Sequence, residues 1–268
     1  MNERPKILLV GCGNMGSALI RGWLKHGWSQ NDIEVIDPSE AAQSIADSLG
    51  VRVAQKVSIE IEADIIVLAV KPQSLDQILP DYKKFVSSDR VFLSIAAGKS
   101  IKFYETFLGK EAAIVRGMPN TPAAIRQGIT VLVSNRKVKP NQRAASEVLM
   151  KAVGRVTWLD NEELMNAVTA VSGSGPAYVF LIIEALSEAG IEVGLHKDLA
   201  EELALMTVAG AGALAASSDT SPAELRQRVT SPGGTTEAAL DVLMENEKLM
   251  TLLKKAVLAA TERGRGLA

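Results

Sequence analysis

The sequence predicts an α/β fold in which a doubly wound parallel sheet occupies the N-terminal half and only helices follow. Three observations predict it. Short apolar runs alternate with helical patterns up to about residue 158, as strands buried on both faces of a parallel sheet require. A glycine-rich turn follows the first apolar run, and the β-type pattern disappears after residue 160.

The first half contains a series of candidate strands and helices, and several of the helices end at glycine. The strands are expected at residues 6–10, 33–37, 64–69, 90–95, 113–116, 129–133 and 155–158. The helices are expected at residues 15–27, 39–50, 74–85 and 141–152.

The second half is helical, with breaks rich in glycine, serine and proline. The breaks are expected at residues 172–176, 190–195, 217–222 and 231–234. We place a domain boundary at residue 160, which gives one domain over 1–159 and a second over 160–268. Residues 209–212 are all small and would let another helix approach closely, so we expect the helix over 203–216 in a helix–helix interface.

The composition excludes several classes of protein. The 268 residues carry 29 basic and 31 acidic side chains, so neither nucleic acid nor an anionic membrane is expected as a partner. The single cysteine, Cys12, excludes an internal disulfide and a cysteine-based zinc cluster, and we expect no metal. No signal-peptide pattern opens the sequence, and the apolar run 203–216 is too short to cross a bilayer. We therefore expect a soluble cytoplasmic protein that binds a small molecule.

The glycine-rich turn matches the pattern G-x-G-x-x-G between the first strand and the first helix. Gly11 permits the tight turn, Gly13 lets a pyrophosphate approach the N–H groups of the helix N terminus, and Gly16 allows close helix–strand packing. Asn14 and Met15 complete the turn. The arrangement is typical of a Rossmann-type domain that binds a nicotinamide dinucleotide, although a glycine-rich turn without a ligand is the alternative.

Asp37 stands at the end of the second strand, 21 residues after Gly16, where an acidic side chain accepts hydrogen bonds from the adenosine ribose. A carboxylate there repels the 2′-phosphate of NADPH, and no arginine follows before Arg52. The cofactor is therefore NADPH or NADH, with NADH favoured. Alternatively, Asp37 caps the next helix, although Ser39 can do the same.

Two further loops should border the cofactor, because the ligand crevice of an open α/β sheet lies outside the carboxyl ends of its strands. Small side chains after the strand at 90–95 leave room for the nicotinamide ring. Tight turns chosen only for packing are the alternative. The cofactor-binding residues expected in these loops are Ala69, Val70, Lys71 and Pro72 in the first and Ile95, Ala96 and Ala97 in the second.

Two breaks in the second half, at 172–177 and 230–236, combine glycines with hydroxyl residues, and each precedes a helix. The N terminus of a helix offers N–H groups without intrahelical partners, which suit a substrate carboxylate. Ordinary N-capping by serine or threonine is the alternative for each break.

Five segments occur in the order and spacing of the pyrroline-5-carboxylate reductase family, which the sequence resembles over essentially its whole length. They are residues 11–16, AVKPQ at 69–73, RGMPNTPA at 116–123, SGSGPAY at 172–178 and VTSPGGTT at 229–236. The resemblance implies that NAD(P)H reduces the C=N bond of 1-pyrroline-5-carboxylate to give L-proline. It also implies that the helical domain forms a homodimer, which assembles into a larger ring such as a decamer.

The resemblance further implies which residues form the site. Backbone N–H groups and hydroxyls of the second break bind the substrate carboxylate, and Thr236 matches the threonine that orients or protonates the ring nitrogen. Lys56 and Arg228 stand where many relatives have asparagine, and each is either a ligand contact or a solvated charge. The implied substrate-binding residues are Thr230, Ser231, Gly233, Gly234, Thr235, Thr236, Gly175 and Arg228, and the cofactor-binding residues include Lys56 and Asn120.

Elementary chemistry agrees with a site that lacks a strong acid or base. A protonated imine is already electrophilic, so alignment of the donor and acceptor carbons can supply most of the catalysis. The two histidines, His26 and His196, lie near helix ends and are expected to be structural. Two alternatives stay open: a β-hydroxyacid dehydrogenase with a catalytic lysine in the second domain, and a non-catalytic NAD(P)-sensing protein.

Overall fold

The computed structural model describes residues 4–58 and 61–266. The strands are β1 (Ile7–Val10), β2 (Ile33–Ile36), β3 (Arg52–Ala54), β4 (Ile65–Leu68), β5 (Val91–Ser94), β6 (Ala113–Met118), β7 (Gly128–Ser134) and β8 (Gly154–Trp158). The α-helices are α1 (Asn14–Lys25), α2 (Glu40–Ser48), α3 (Leu75–Tyr82), α4 (Ile101–Leu108), α5 (Pro140–Lys151), α6 (Met165–Val168), α7 (Gly175–Glu192), α8 (Lys197–Ser217), α9 (Pro222–Arg228), α10 (Thr235–Met244) and α11 (Lys248–Arg265).

The strands form one sheet in the order β3-β2-β1-β4-β5-β6-β7-β8. β1, β4 and β5 are buried along their whole length, because helices cover both faces of the sheet. Leu9 of β1 packs in the cluster that contains Trp23 of α1, whereas the neighbouring Leu8 packs on the opposite face with Leu79 of α3. The strand order reverses at β1, which creates a crevice at the carboxyl ends of β1 and β4. The predicted α/β fold is confirmed.

One strand pair departs from the predicted parallel sheet. β7 runs antiparallel to β6, with Val115 opposite Ser134. The connection between these strands contains only the 3₁₀ turn Thr121–Ile125 and is too short for the crossover helix that a parallel pair requires. α5 then returns the chain, so that β8 pairs parallel to β7. The sheet is therefore mostly, and not wholly, parallel.

The structure also contains a strand and a helix that the sequence patterns do not predict. β3 is a three-residue edge strand whose side chains are at most partly buried, so it lacks a continuous apolar run. α4 is rich in aromatic and β-branched residues, which have low helix propensity. It forms behind a Ser100 cap, whose hydroxyl accepts a hydrogen bond from the Phe103 N–H group at 3.2 Å.

The chain divides into two compact units. The first contains the sheet and ends at Gly173, and the chain from Ala260 onward also belongs to it. The second unit is Ser174–Ala259. The predicted boundary at residue 160 precedes this division, and the assignment of domains to residues 1–159 and 160–268 stays a prediction.

The predicted break at 172–176 is a change of helix type. The π-helical segment Thr169–Gly173 follows α6 directly, and Ser174 alone separates it from α7. Gly173 ends this segment beside Met118, because a Cβ on it would lie 2.4 Å from Met118 Cε and the end of the methionine side chain would have to move. Single π-helical turns of this kind occur frequently at functional sites. The other three predicted breaks separate α7, α8, α9 and α10.

The helices of the second unit carry many apolar side chains that the chain itself leaves exposed. Phe180 in α7 is 58% exposed and Met206 in α8 is 62% exposed. The apolar run 203–216 belongs to the 21-residue helix α8, so its length does not exclude a membrane span, contrary to the sequence prediction. By length and composition alone, Glu162–Glu192 and Lys197–Ser217 could each cross a bilayer, a test that soluble helices also pass. The absence of a membrane partner therefore stays a prediction.

Candidate active site

The glycine-rich turn lies at the carboxyl end of β1. Gly11 has a φ of +95°, and a Cβ on it would lie 2.8 Å from Ala69 O. Its N–H group donates to Ile36 O at 2.9 Å, which ties the turn to β2. Gly16 packs against the same turn, since a Cβ there would lie 2.3 Å from Gly11 O. Close packing between strand, turn and helix therefore requires glycine at both positions.

Gly13 has a different environment. A Cβ on Gly13 would meet no atom within 4 Å, so packing within the protein does not require glycine there. The N–H groups of Asn14, Met15 and Gly16 open α1, and they have no hydrogen-bond partner among the residues that the structure describes. Open space in front of free donors at the positive end of a helix fits a pyrophosphate. The turn is thus suited to a dinucleotide.

Asp37 follows β2, and its carboxylate forms a hydrogen bond with the glycine-rich turn. One carboxylate oxygen accepts a hydrogen bond from Cys12 N–H at 2.8 Å, and the other accepts one from Ser39 N–H at 2.9 Å. Ser39 caps α2, because its hydroxyl accepts from Ala42 N–H. Helix capping therefore does not account for Asp37. Its contact with an adenosine ribose stays a prediction.

Cys12 is fully buried within this turn. Burial, reinforced by the nearby negative charge of Asp37, raises the pKa of the Cys12 thiol to about 11. The thiol is therefore neutral at physiological pH and a poor nucleophile, because the thiolate is the reactive form of cysteine.

The two other predicted cofactor loops begin at the same edge of the sheet. Ala69 N–H donates to Val10 O at 2.7 Å, so the loop after β4 starts beside the glycine-rich turn. Ile95 N–H donates at 3.0 Å to the carbonyl of the last residue of β4. Ile95 and Ala96 are buried, whereas Ala97 is exposed and available to a ligand.

The rest of the first loop lies partly at the surface. Val70 approaches the turn closely, since its Cγ1 would lie 2.8 Å from a Cβ on Gly11. Lys71 is exposed, and Pro72 opens a 3₁₀ turn that leads into α3. The structure thus brings this loop against the glycine-rich turn, while a direct role for Lys71 stays a prediction.

Lys56 and Asn120 follow two other strands. Lys56 is exposed two residues beyond β3, the neighbour of β2. Asn120 follows β6, and its Oδ1 accepts a hydrogen bond from Ile129 N–H at 2.9 Å across the β6–β7 connection. The side-chain carbonyl of Asn120 therefore stabilises the β6–β7 connection, and its NH₂ group is available to a ligand.

In the second unit, the turn between α9 and α10 carries the predicted substrate-binding residues. Thr230 lies two residues beyond the end of α9, and its hydroxyl donates to Arg226 O at 2.7 Å. Gly233 has a φ of +70°, which favours glycine, and Gly234 N–H donates to Ser231 O at 3.0 Å. These contacts reverse the chain immediately before α10.

The first turn of α10 presents hydrogen-bond donors. The N–H groups of Thr235, Thr236 and Glu237 and the two threonine hydroxyls have no partner within the described part of the chain. The Glu237 carboxylate accepts a hydrogen bond from Gly233 N–H at 2.6 Å. Sequence reasoning missed this contact, which removes one donor from the expected carboxylate site. A glutamate at the third position of a helix is the signal that could have revealed it.

Gly175 and Arg228 also lie in the second unit. Gly175 begins α7, and a Cβ on it would meet no atom within 4 Å. Arg228 ends α9, is exposed and forms no ion pair with any described residue. Contact of either residue with substrate stays a prediction.

Sequence reasoning also missed a largely buried polar cluster at the carboxyl ends of β5 and β6. Its members are Ser94, Tyr104, Arg116 and Glu162. An arginine inside the otherwise apolar strand β6 is the signal that points to it, because a buried arginine needs an acidic partner.

A mostly parallel sheet with a glycine-rich turn where its strand order reverses, joined to a helical unit, defines a dinucleotide-binding oxidoreductase. Residues 6–98 match the family model for NADP oxidoreductase coenzyme F420-dependent, and residues 162–267 match that for pyrroline-5-carboxylate reductase dimerisation. The pyrroline-5-carboxylate reductase of Pseudomonas aeruginosa is 41% identical over 266 residues, covering 98% of this chain and 97% of that protein. The chain belongs to the pyrroline-5-carboxylate reductase family.

Solved structures agree with this assignment. A pyrroline-5-carboxylate reductase from Coxiella burnetii superposes with a TM-score of 0.94 at 39% identity, covering 99% of each chain. A Plasmodium falciparum pyrroline carboxylate reductase with NADP bound gives 0.83 at 31% identity, covering 99% of this chain and 98% of that one. Prephenate dehydrogenase from Aquifex aeolicus, at 20% identity and a TM-score of 0.55, covers 96% of this chain and 87% of that one and shares the fold alone. The predicted family is thereby confirmed.

Proposed function

We propose that the chain reduces the C=N bond of 1-pyrroline-5-carboxylate to give L-proline. The observation that carries the proposal is the 41% identity to the Pseudomonas aeruginosa reductase over 98% of the chain, which includes both the glycine-rich turn and the turn before α10. Bound NAD(P)H supplies a hydride from its nicotinamide C4 to the imine carbon. The protein binds the substrate carboxylate, orients the ring and supplies a hydroxyl that donates to or orients the ring nitrogen.

The turn before α10 supports a carboxylate site. Its free N–H groups at the positive end of a ten-residue helix suit an anion. Thr236 is the proposed catalytic residue, with its hydroxyl donating to or orienting the ring nitrogen. Because a protonated imine is already electrophilic, this single hydroxyl and good alignment suffice.

Oxidation of NADH and NADPH in the presence of 1-pyrroline-5-carboxylate tests the activity. We expect Thr236→Ala to lower kcat by about 100-fold, the lower end of what one positioned proton donor contributes, and Thr236→Ser to recover most of it. Thr106→Ala is the matched control, because the Thr106 hydroxyl only donates to Lys102 O within α4. No turnover with either cofactor rejects the reductase. Full activity of Thr236→Ala rejects only the role given to Thr236.

For the cofactor, we propose a preference for NADH. The Asp37 carboxylate supports it, since negative charge at the end of β2 disfavours a 2′-phosphate. The NADP bound in the Plasmodium falciparum relative supports use of NADPH as well. Asp37→Asn removes the charge but also takes the acceptor from either Cys12 N–H or Ser39 N–H, so the readout is the ratio of kcat/KM for NADPH to that for NADH, which should rise. An unchanged ratio contradicts the assignment of Asp37.

The structure favours this function over its two alternatives. The second unit has four lysines, and none of them is buried in a pocket of this chain. Lys197, Lys248 and Lys254 pair with glutamates at the surface, and Lys255 is exposed. A non-catalytic NAD(P) sensor would not require the turn before α10 with its free hydrogen-bond donors. Both alternatives predict no imine reduction, so the same assay separates them from the reductase.

We propose that the second unit forms a homodimer and that dimers assemble into a ring such as a decamer, in the cytoplasm. The exposed apolar side chains of α7 and α8 support the dimer. Native mass spectrometry should give ten copies, and dimers alone would contradict the ring. Recovery of the protein in the membrane fraction would contradict the location and the absence of a membrane partner.

A further inference from the structure

Three polar side chains lie in the apolar core at the carboxyl ends of β5 and β6. Ser94 is 1% exposed, Tyr104 0% and Arg116 6%. The hydroxyls of Ser94 and Tyr104 share a hydrogen bond of 2.5 Å. Burial of polar groups costs free energy unless they are paired, so a cluster of this kind needs a structural or functional reason.

Tyr104 holds the start of the loop that follows β5. Ser94 Oγ, to which Tyr104 is bonded, also accepts a hydrogen bond from Ala96 N–H at 3.3 Å. Burial raises the pKa of Tyr104 to about 12, although the Ser94 hydrogen bond and the Arg116 charge oppose this. The phenol therefore stays protonated at physiological pH. Tyr104, a residue of α4, thus fixes the first peptide groups of the loop through Ser94.

Glu162 holds the end of the same loop. One of its carboxylate oxygens accepts hydrogen bonds from Arg116 Nη1 at 2.7 Å and from Ile101 N–H at 2.8 Å. Ile101 is the first residue of α4, which the loop enters. The Arg116 side chain is buried and that of Glu162 is partly exposed, and a charge-assisted contact between them is strong and directional. The loop is therefore anchored at both ends by side chains from outside it.

We propose that Tyr104 and Glu162 are positioning residues, which hold residues 95–98 in the shape that receives the nicotinamide end of the cofactor. The inference rests on the proposed function, in which this loop borders the nicotinamide. Between the two anchors, Ala97 is exposed and Gly98 has a φ of +78°, so the middle of the loop is available for contact with a ligand. Tyr104 and Glu162 act through the loop and touch no reacting atom.

Tyr104→Phe tests the proposal, because it removes the hydroxyl and keeps the packed ring. We expect the dissociation constants and KM values of NADH and NADPH to rise about five- to tenfold, as loss of one buried hydrogen bond allows, while kcat and the KM of the imine change less than about twofold. Tyr82→Phe is the matched control. Tyr82 is 3% exposed in the same apolar cluster, and its hydroxyl has no hydrogen-bond partner among the described residues.

Two further measurements keep the test decisive if Tyr104→Phe does not fold. Ser94→Ala breaks the same link and should weaken cofactor binding in the same way. Hydrogen exchange of the Ala96 amide should be faster in either variant and unchanged in Tyr82→Phe. Equal cofactor affinity in the Tyr104→Phe, Ser94→Ala and Tyr82→Phe variants overturns the proposal. Cofactor affinity is measured without substrate, so a failure of imine reduction rejects the proposed function separately.

Discussion

The two units of the chain differ in how they bury their apolar residues. In the first unit, β1, β4 and β5 are buried along their whole length between helices of the same chain. In the second, all of whose residues are described, only Ser187, Ala200 and Ala204 are buried. Apolar surface on this scale marks an interface. The first unit therefore has a core of its own, whereas the second leaves most of its apolar side chains for an interface, in agreement with its match to the dimerisation family model.

The largest expected effect comes from a charge in the exposed apolar surface of the second unit. Val179 in α7 is 41% exposed and Val148 in α5 of the first unit is 53% exposed. If α7 is covered by another copy, Val179→Asp should destabilise the assembly by about 3–5 kcal/mol, the cost of an unpaired buried charge. Val148→Asp, the same change at a solvated position, should cost at most about 0.5 kcal/mol. Light scattering measures the size of the assembly and urea unfolding the stability of each variant. Equal effects of the two substitutions would contradict the difference between the two units.

A smaller effect separates two glycines within the first unit. Gly16→Ala should destabilise the fold by about 2–3 kcal/mol, because its Cβ would lie 2.3 Å from Gly11 O. Gly13→Ala should leave the melting temperature almost unchanged, since its Cβ meets no atom within 4 Å, and should weaken NADH binding about tenfold or more. Thermal unfolding and cofactor titration measure the pair. Normal cofactor binding by Gly13→Ala would mean that the open side of the turn does not receive the dinucleotide.

The smallest effect concerns the buried thiol. Burial raises the pKa of Cys12 to about 11 from an ordinary value of 9.0, so the protonated thiol is favoured in the folded state. The resulting stability is complete below pH 9 and declines as the pH rises toward 11, by about 1 kcal/mol per pH unit. Unfolding free energies of the unmodified chain and Cys12→Ala between pH 8 and pH 11 measure the difference. Parallel pH profiles would contradict it.

The same thiol reports on the independence of the first unit. Cys12 should react slowly with a thiol reagent at pH 8 both in the assembled protein and in dissociated Val179→Asp, because a single copy of the chain already buries it among residues of the first unit. Fast labelling only after dissociation would show that the first unit also needs the assembly.

Local patterns account for what could be predicted from the sequence. The glycine-rich turn and the strand and helix that flank it all lie within residues 7–25. One short segment of sequence therefore contains the residues that determine how they pack. The Glu162 contacts to Arg116 and Ile101 span 46 and 61 positions, and no local pattern contains them. The antiparallel β6–β7 pair was equally hard to predict, since the predicted strands at 113–116 and 129–133 leave a gap near the limit for a crossover helix.

The chain returns to the first unit at Ala260, which has a consequence for the order in which the two units are synthesised. The second unit is an insertion into the first, because residues of the first unit lie on both sides of it. On the ribosome, the sheet can form early, but the segment from Ala260 emerges only after the whole second unit has been translated. The last segment of the first unit is thus added only after the helices that carry the exposed apolar side chains have been made, so the first unit is completed after the synthesis of the second.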